Sequence, residues 1–149
     1  MLAAAGIRHA LAGALAVNAY RSRPRTTEDI DFLVGEEALE THPGGFVTLR
    51  VPVIEFDGIA VDQIPISDAL RVLEEGLDRA PLSEGVPIAP LDTIVVMKLL
   101  AGRTQDLADI EAIASSGVDR ELLRAAVQRL AADRASTLER LFENADCSR

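Results

Sequence analysis

Two aspartates one residue apart, Asp29 and Asp31, open the apolar run Ile30, Phe32, Leu33, Val34, and Gly35 closes it. So short a run of bulky and branched residues before a glycine is strand chemistry, and a strand is expected over 29–34. Alternation in a strand puts residues two apart on one face, so both carboxylates point the same way while Ile30 and Phe32 face apolar packing. Two carboxylates held that close repel, and one tends to protonate unless a counter-charge is supplied. A divalent cation with oxygen ligands, Mg²⁺ above all, is the simplest compensation. The plainer reading, a polar pair on a solvated strand face, stands beside it.

What precedes the pair narrows the choice. Residues 2–20 are rich in alanine and leucine and are expected to be helical, with Gly6 and Gly13 as weak points. A basic, proline-containing connection from Arg21 to Arg25 then delivers the chain to Asp29. Glycine lets backbone approach a ligand closely, and arginine suits phosphate.

On Gly13, Ala14, Tyr20, Pro24, Arg25, Thr27, Asp29 and Asp31 the chain resembles the nucleotidyltransferase superfamily of DNA polymerase beta, and within it the abortive-infection, toxin-type branch. The family's Gly-Gly or Gly-Ser pair stands here as Gly13-Ala14, which keeps the backbone N–H but lacks a hydroxyl. The resemblance implies an α/β (α+β) fold, a mixed sheet flanked by helices with a C-terminal helical extension. It implies transfer of a nucleoside monophosphate from an NTP substrate with Mg²⁺ or Mn²⁺ at Asp29 and Asp31. Arg25, Thr27 and the Gly13 and Ala14 amides would lie against the nucleotide. The acceptor in such proteins is a tRNA end, a protein or a small molecule, and toxin-type members are neutralised by a cognate antitoxin. A degenerate copy of the fold, binding nucleotide or a partner without catalysis, is the alternative that the Gly13-Ala14 departure favours.

Further along, Glu36 to Glu40 suggests an acidic helical turn, and His42-Pro43-Gly44-Gly45 is loop chemistry. Phe46 to Ile54 reads as extended, and Asp57-Gly58 as a hairpin turn. The next strand, Ile59 to Ile64, carries Asp62 in an apolar setting. If it neighbours the first strand, Asp62 completes a three-carboxylate cluster, the role the resemblance assigns it; a solvent-facing side chain is the competing reading. Ser67 is expected to cap a helix, Gly85 to Ala89 to form an edge strand, and Asp92 to cap a helix over Thr93 to Ala101.

That last helix holds Lys98, the single lysine among 15 basic residues, embedded in VVMKLL. Its ammonium either snorkels to the surface or serves as a compact charge for phosphates. The resemblance extends here too: Lys98, Arg103, Asp106 and Asp109 match the family's Lys-x4-Arg-x2-Asp-x2-Asp segment, with Gln105 where relatives carry a basic residue. Asp106 and Asp109, three apart, share a helix face. They position Lys98 or Arg103, touch the acceptor, or are simply exposed acids. Helices from Asp119 and over Ala135 to Phe142 carry no chemistry.

With 149 residues a single domain is expected, a sheet-containing core over about 1–90 followed by packing helices over about 91–149. The net charge of −9 argues against a broad nucleic-acid surface. It is uneven, however: four arginines against Glu28 leave the first 28 residues at +3 and the remainder at −12. Any nucleic acid or nucleotide that binds should therefore meet the N-terminal arginines. One cysteine, Cys147, allows no intrachain disulfide and suits a reducing compartment. The apolar stretch 2–17 is broken by Arg8 and His9, so a cytoplasmic protein without a membrane partner is expected.

Overall fold

The N-terminal alanines do not build the helix expected over 2–20. In the computed structural model, which describes residues 1–148, Ala3–Ala5 make one 3-10 turn closed by Gly6 at φ 70°. The chain then extends as β1 (His9–Leu11), and only Gly13–Asn18 is helical (α1). Helix propensity is worth a few tenths of a kcal/mol per residue. Pairing β1 antiparallel to β2 (Ile30–Val34) satisfies backbone groups on both strands and buries Ala10 and Ala12 completely, and that tertiary gain wins.

Strand β2 begins at Ile30, so Asp29 sits just ahead of it and is exposed. After a 3-10 turn at Glu36–Ala38 comes a hairpin of β3 (Leu39–Thr41) and β4 (Val47–Leu49), and β4 is the part of the stretch expected to be extended over 46–54 that forms a strand. The Asp57-Gly58 turn, with φ 51° and 78°, joins β5 (Glu55–Phe56) to β6 (Ile59–Pro65) as expected. Strand β6 lies parallel to β2, which gives a mixed sheet in the order β1-β2-β6-β5. Ser67 makes no side-chain cap; a 3-10 segment at Asp68–Leu73 leads into the short α2 (Glu74–Asp78). A small hairpin, β7 (Leu82–Ser83) and β8 (Val86–Pro87), precedes α3 (Leu91–Ala101). That helix starts after Pro90, which leaves Asp92 inside the first turn, bonded to the Thr93 amide and Arg79 instead of capping. Next come α4 (Thr104–Ala114), α5 (Arg120–Leu130), capped by the Asp119 carboxylate on the Leu122 amide, and α6 (Ala135–Cys147), which runs past Phe142.

The protein is thus an α+β fold, a mixed sheet with helices packed against it. No helix among the described residues is long and apolar enough to cross a membrane. Alternation along β2 decides what faces what. Leu33 enters the main core with Ile94 and Leu99 of α3 and Ile110 of α4, whereas Phe32 and Val34 belong to a smaller cluster with Leu2, Ile7 and Ala38. Asp31 shares the parity of Leu33, so its carboxylate is turned toward the helices.

Candidate functional site

The register of β2 and β6 pairs Ile30 with Val61, Asp31 with Asp62, and Leu33 with Ile64. Partners on neighbouring parallel strands point to the same face about 4.8 Å apart. Asp62 therefore stands beside Asp31, and Asp29 lies one residue outside the strand at the same parity.

Gly13 opens α1 directly over this pair at φ 59°, and a Cβ built there would lie 1.8 Å from Oδ2 of Asp31. Only glycine satisfies both the backbone angle and the space. The Asp31 carboxylate is wedged against the start of a helix whose first amides have no intrahelical acceptor. Burial pushes its pKa up from the ordinary value, and the charges of Asp62 and Asp29 push it the same way, against a smaller pull from Lys98 and Arg103.

The opposite wall comes from α3 and α4. Lys98 is 4% exposed and does not snorkel; its Nζ donates to Asp106 Oδ1 and to Asp109 Oδ2, both at 2.9 Å. Arg103 holds Asp106 from outside through Nε at 2.6 Å and Nη2 at 3.2 Å. Asp109 is wholly buried and also accepts from Arg25 at 3.1 and 3.3 Å, from Arg21 at 3.2 Å and from Gln105 at 3.4 Å. Burial alone would raise both acids. For Asp106, the bonds from Arg103 and Lys98 outweigh that and hold the pKa below the usual carboxylate value. For Asp109, the bonds from Lys98 and Arg25 do the same. Four basic side chains thus converge on two ionised acids, leaving a surplus of positive charge on this wall. The Lys98 ammonium has three N–H donors, of which one is uncommitted.

Two cavities share the corner between these walls, one of about 350 Å³ and one of about 550 Å³. Gly13, Asp31, Asp62, Lys98, Arg103 and Asp106 line both. Ala14, Arg25, Thr27, Asp29 and Gln105 line the smaller, polar one. The two cavities thus gather Gly13, Ala14, Arg25, Thr27, Asp29, Asp31, Asp62, Lys98, Arg103 and Asp106, while Asp109 lies behind the wall as its anchor and Tyr20 and Pro24 line neither. The sequence did not announce the aliphatic part of the larger cavity (Ile64, Ala69, Leu70, Met97, Leu100, Ala101), because those residues look like ordinary core positions.

The chemistry of the carboxylate wall fits a hard divalent cation: oxygen donors only, with like charges that lift Asp31 until something offsets them. The three acids do not form a closed cage. No group of three or more histidine, cysteine, aspartate or glutamate side chains among the described residues is gathered closely enough to hold a metal ion. Asp31 and Asp62 are the adjoining pair, and Asp29 is at the rim.

His42 bonds Thr48 and His9 bonds the Ile7 carbonyl, away from this corner. Arg8 is clamped by Glu37, Glu74 and Asp78.

No family model matches the chain, and no curated protein matches it. Among solved structures the chain is similar to an antigenic nucleotidyltransferase-like protein from Paracoccidioides brasiliensis, with a TM-score of 0.46 and 16% identity over 93% of this chain and 87% of that one. It is also similar to the antibiotic-resistance factor ANT(2'')-Ia, solved in solution, with a TM-score of 0.42 and 16% identity over 99% of this chain and 88% of that one. Both likenesses are low in identity and in superposition.

Proposed function

We propose that the chain catalyses metal-dependent nucleotidyl transfer, moving a nucleoside monophosphate from an NTP to an acceptor hydroxyl. The observation that carries this reading is the pairing of Asp31 with Asp62 on one sheet face, across a cavity from the buried Lys98 and the exposed Arg103 beside it. Asp31 and Asp62 would hold Mg²⁺ or Mn²⁺, with Asp29 at the rim, and the ion when bound would polarise phosphate oxygens and offset the crowded carboxylates.

The chain's own groups account for the rest. Asp62, exposed at the edge of the pair, takes the proton of the acceptor hydroxyl. The acceptor oxygen forms a bond to the α-phosphorus as the bond to the bridging oxygen breaks, and pyrophosphate leaves. The free N–H of Lys98 and the outer guanidinium edge of Arg103 meet charge on the phosphates. Arg25, Thr27 and the amides of Gly13 and Ala14 line the polar end where the rest of the triphosphate would lie. Holding these donors in place before the reaction is most of what phosphoryl transfer asks of a protein.

The test is labelled NTP incubated with RNA, protein and small-molecule fractions, with wild type and with a variant carrying both Asp31→Asn and Asp62→Asn. Wild type should label one fraction. The variant should lose that label by roughly a thousandfold or more while melting at the wild-type temperature or above, since relieving repulsion does not unfold a chain. Labelling by the folded variant at the wild-type rate overturns the proposal. The labelled fraction identifies the acceptor. Growth arrest on expression, relieved by a cognate antitoxin, would add the toxin-type role.

One observation favours a second reading, nucleotide or partner binding without catalysis: two of Lys98's three donors and the inner edge of Arg25 are spent on buried acids. Calorimetry with Mg²⁺ and each NTP separates the two. Tight binding with no labelled fraction supports the second.

A further inference from the structure

We infer that the aliphatic part of the larger cavity is a nucleobase seat, and that it selects by shape without reading the base. The inference rests on the proposed function, because it takes the ligand to be an NTP.

The two cavities meet at a shared wall of opposite charges, and beyond that wall they differ sharply. One side continues into Arg25, Thr27 and Asp29; the other continues into Ile64, Ala69, Leu70, Met97, Leu100 and Ala101. A molecule that fills both must be anionic at one end and apolar at the other. A nucleoside triphosphate has that polarity within one covalent framework, and a cavity of about 550 Å³ falls in the range typical of small-ligand sites. A hydroxyl-rich or ammonium-bearing acceptor suits the aliphatic side poorly, because it has no flat ring face to lay against these side chains as a base has.

None of those six side chains carries a strong hydrogen-bond donor or acceptor. Selectivity of high order needs buried polar partners that a wrong ligand leaves unpaired. Without them, bases of the same size differ only through packing. ATP and GTP should therefore bind with affinities within about tenfold of each other, and so should CTP and UTP. A step between purines and pyrimidines is compatible with selection by shape.

Ala69 is exposed in the 3-10 segment at the mouth of this side, so a large side chain there fills the seat without disturbing the core. The experiment is calorimetry of the full chain and of Ala69→Trp, with Mg²⁺ and each of the four NTPs, and with inorganic tripolyphosphate as the probe of the charged side. Ala101→Leu, at the exposed end of α3, is the second variant should the first fail to fold. The expected result is an about tenfold or greater loss of affinity for all four NTPs, with tripolyphosphate binding unchanged. Unchanged affinity for the four NTPs in a folded variant overturns the inference. Equal losses for NTP and tripolyphosphate overturn it too, as does a discrimination between ATP and GTP well beyond tenfold. If tripolyphosphate does not bind the wild-type protein with Mg²⁺, the functional reading itself fails and this inference falls with it.

Discussion

Asp109 and Lys98 touch each other, yet they should respond very differently to removal. Asp109 accepts from Lys98, Arg25, Arg21 and Gln105 and has no water contact. Asp109→Asn keeps the shape but leaves three cations facing a neutral amide, and uncompensated buried charge is expensive: about 3 kcal/mol of stability should be lost in urea denaturation. Lys98→Met should cost less, because Asp106 keeps Arg103 and Asp109 keeps Arg25 and Arg21. Equal losses would mean that the arginines contribute nothing to Asp109. The pH dependence follows from the same bonds. Both acids have folded pKa values below their unfolded ones, so their contribution is fully present above the ordinary carboxylate range. It is lost as pH falls through the folded values. The Asp109→Asn deficit should therefore shrink in acid. Helix spacing made the Asp106–Asp109 pair visible in the sequence, and the family resemblance joined Lys98 to it. It could not show that the Arg21 to Arg25 turn, over 80 residues away, closes on the same acid.

Elements were legible where one local rule dominated and hidden where two competed. The Asp57-Gly58 hairpin and the aspartate strand each have their own chemistry; the hairpin appears as read, and the strand appears one residue shorter, without Asp29. The start of the chain does not, because alanine and leucine favour helix locally while pairing with β2 rewards extension. Gly6 and Gly13, both at positive φ, marked the places where that helix could not continue. A similar competition sits between α2 and α3. Gly76 is buried in α2, where a Cβ would lie 1.9 Å from Oγ1 and 2.8 Å from Cβ of Thr93. Thr93 is itself buried and β-branched, so it cannot swing aside. Gly76→Ala gains roughly 1 kcal/mol of helix propensity but forces α2 off α3, and overpacking of that kind costs about 1–3 kcal/mol. The clash should win, giving a net loss of about 1 kcal/mol by denaturant midpoint. A stabilised variant would show that α2 moves freely and does not help to fix the cavity wall on α3.

At the scale of the molecule, the basic N-terminal segment turns out to be mostly charge already paired with acids. Of its four arginines, Arg8 is bound by Glu37, Glu74 and Asp78, and Arg21 and Arg25 point inward to Asp109. Arg23 alone is exposed without a partner among the described residues. The expectation that nucleic acid would meet this segment was drawn from net charge along the chain, which does not distinguish a guanidinium on the surface from one holding a buried acid. A surface of net charge −9 with one free arginine at that turn cannot displace many counterions from a polynucleotide. Each phosphate neutralised on a single strand contributes about −0.7 to the slope of log affinity against log salt. Binding of a single-stranded polynucleotide, followed by fluorescence anisotropy across a salt series, should thus give a slope of about −1 or shallower. Arg23→Ala should flatten it further. A slope of about −2 would mean that Arg21 and Arg25 leave Asp109 to meet phosphate. In that case Lys98 would lose its neighbours on the wall at the moment an RNA acceptor docked, and the buried acid pair would be a switch as well as a support.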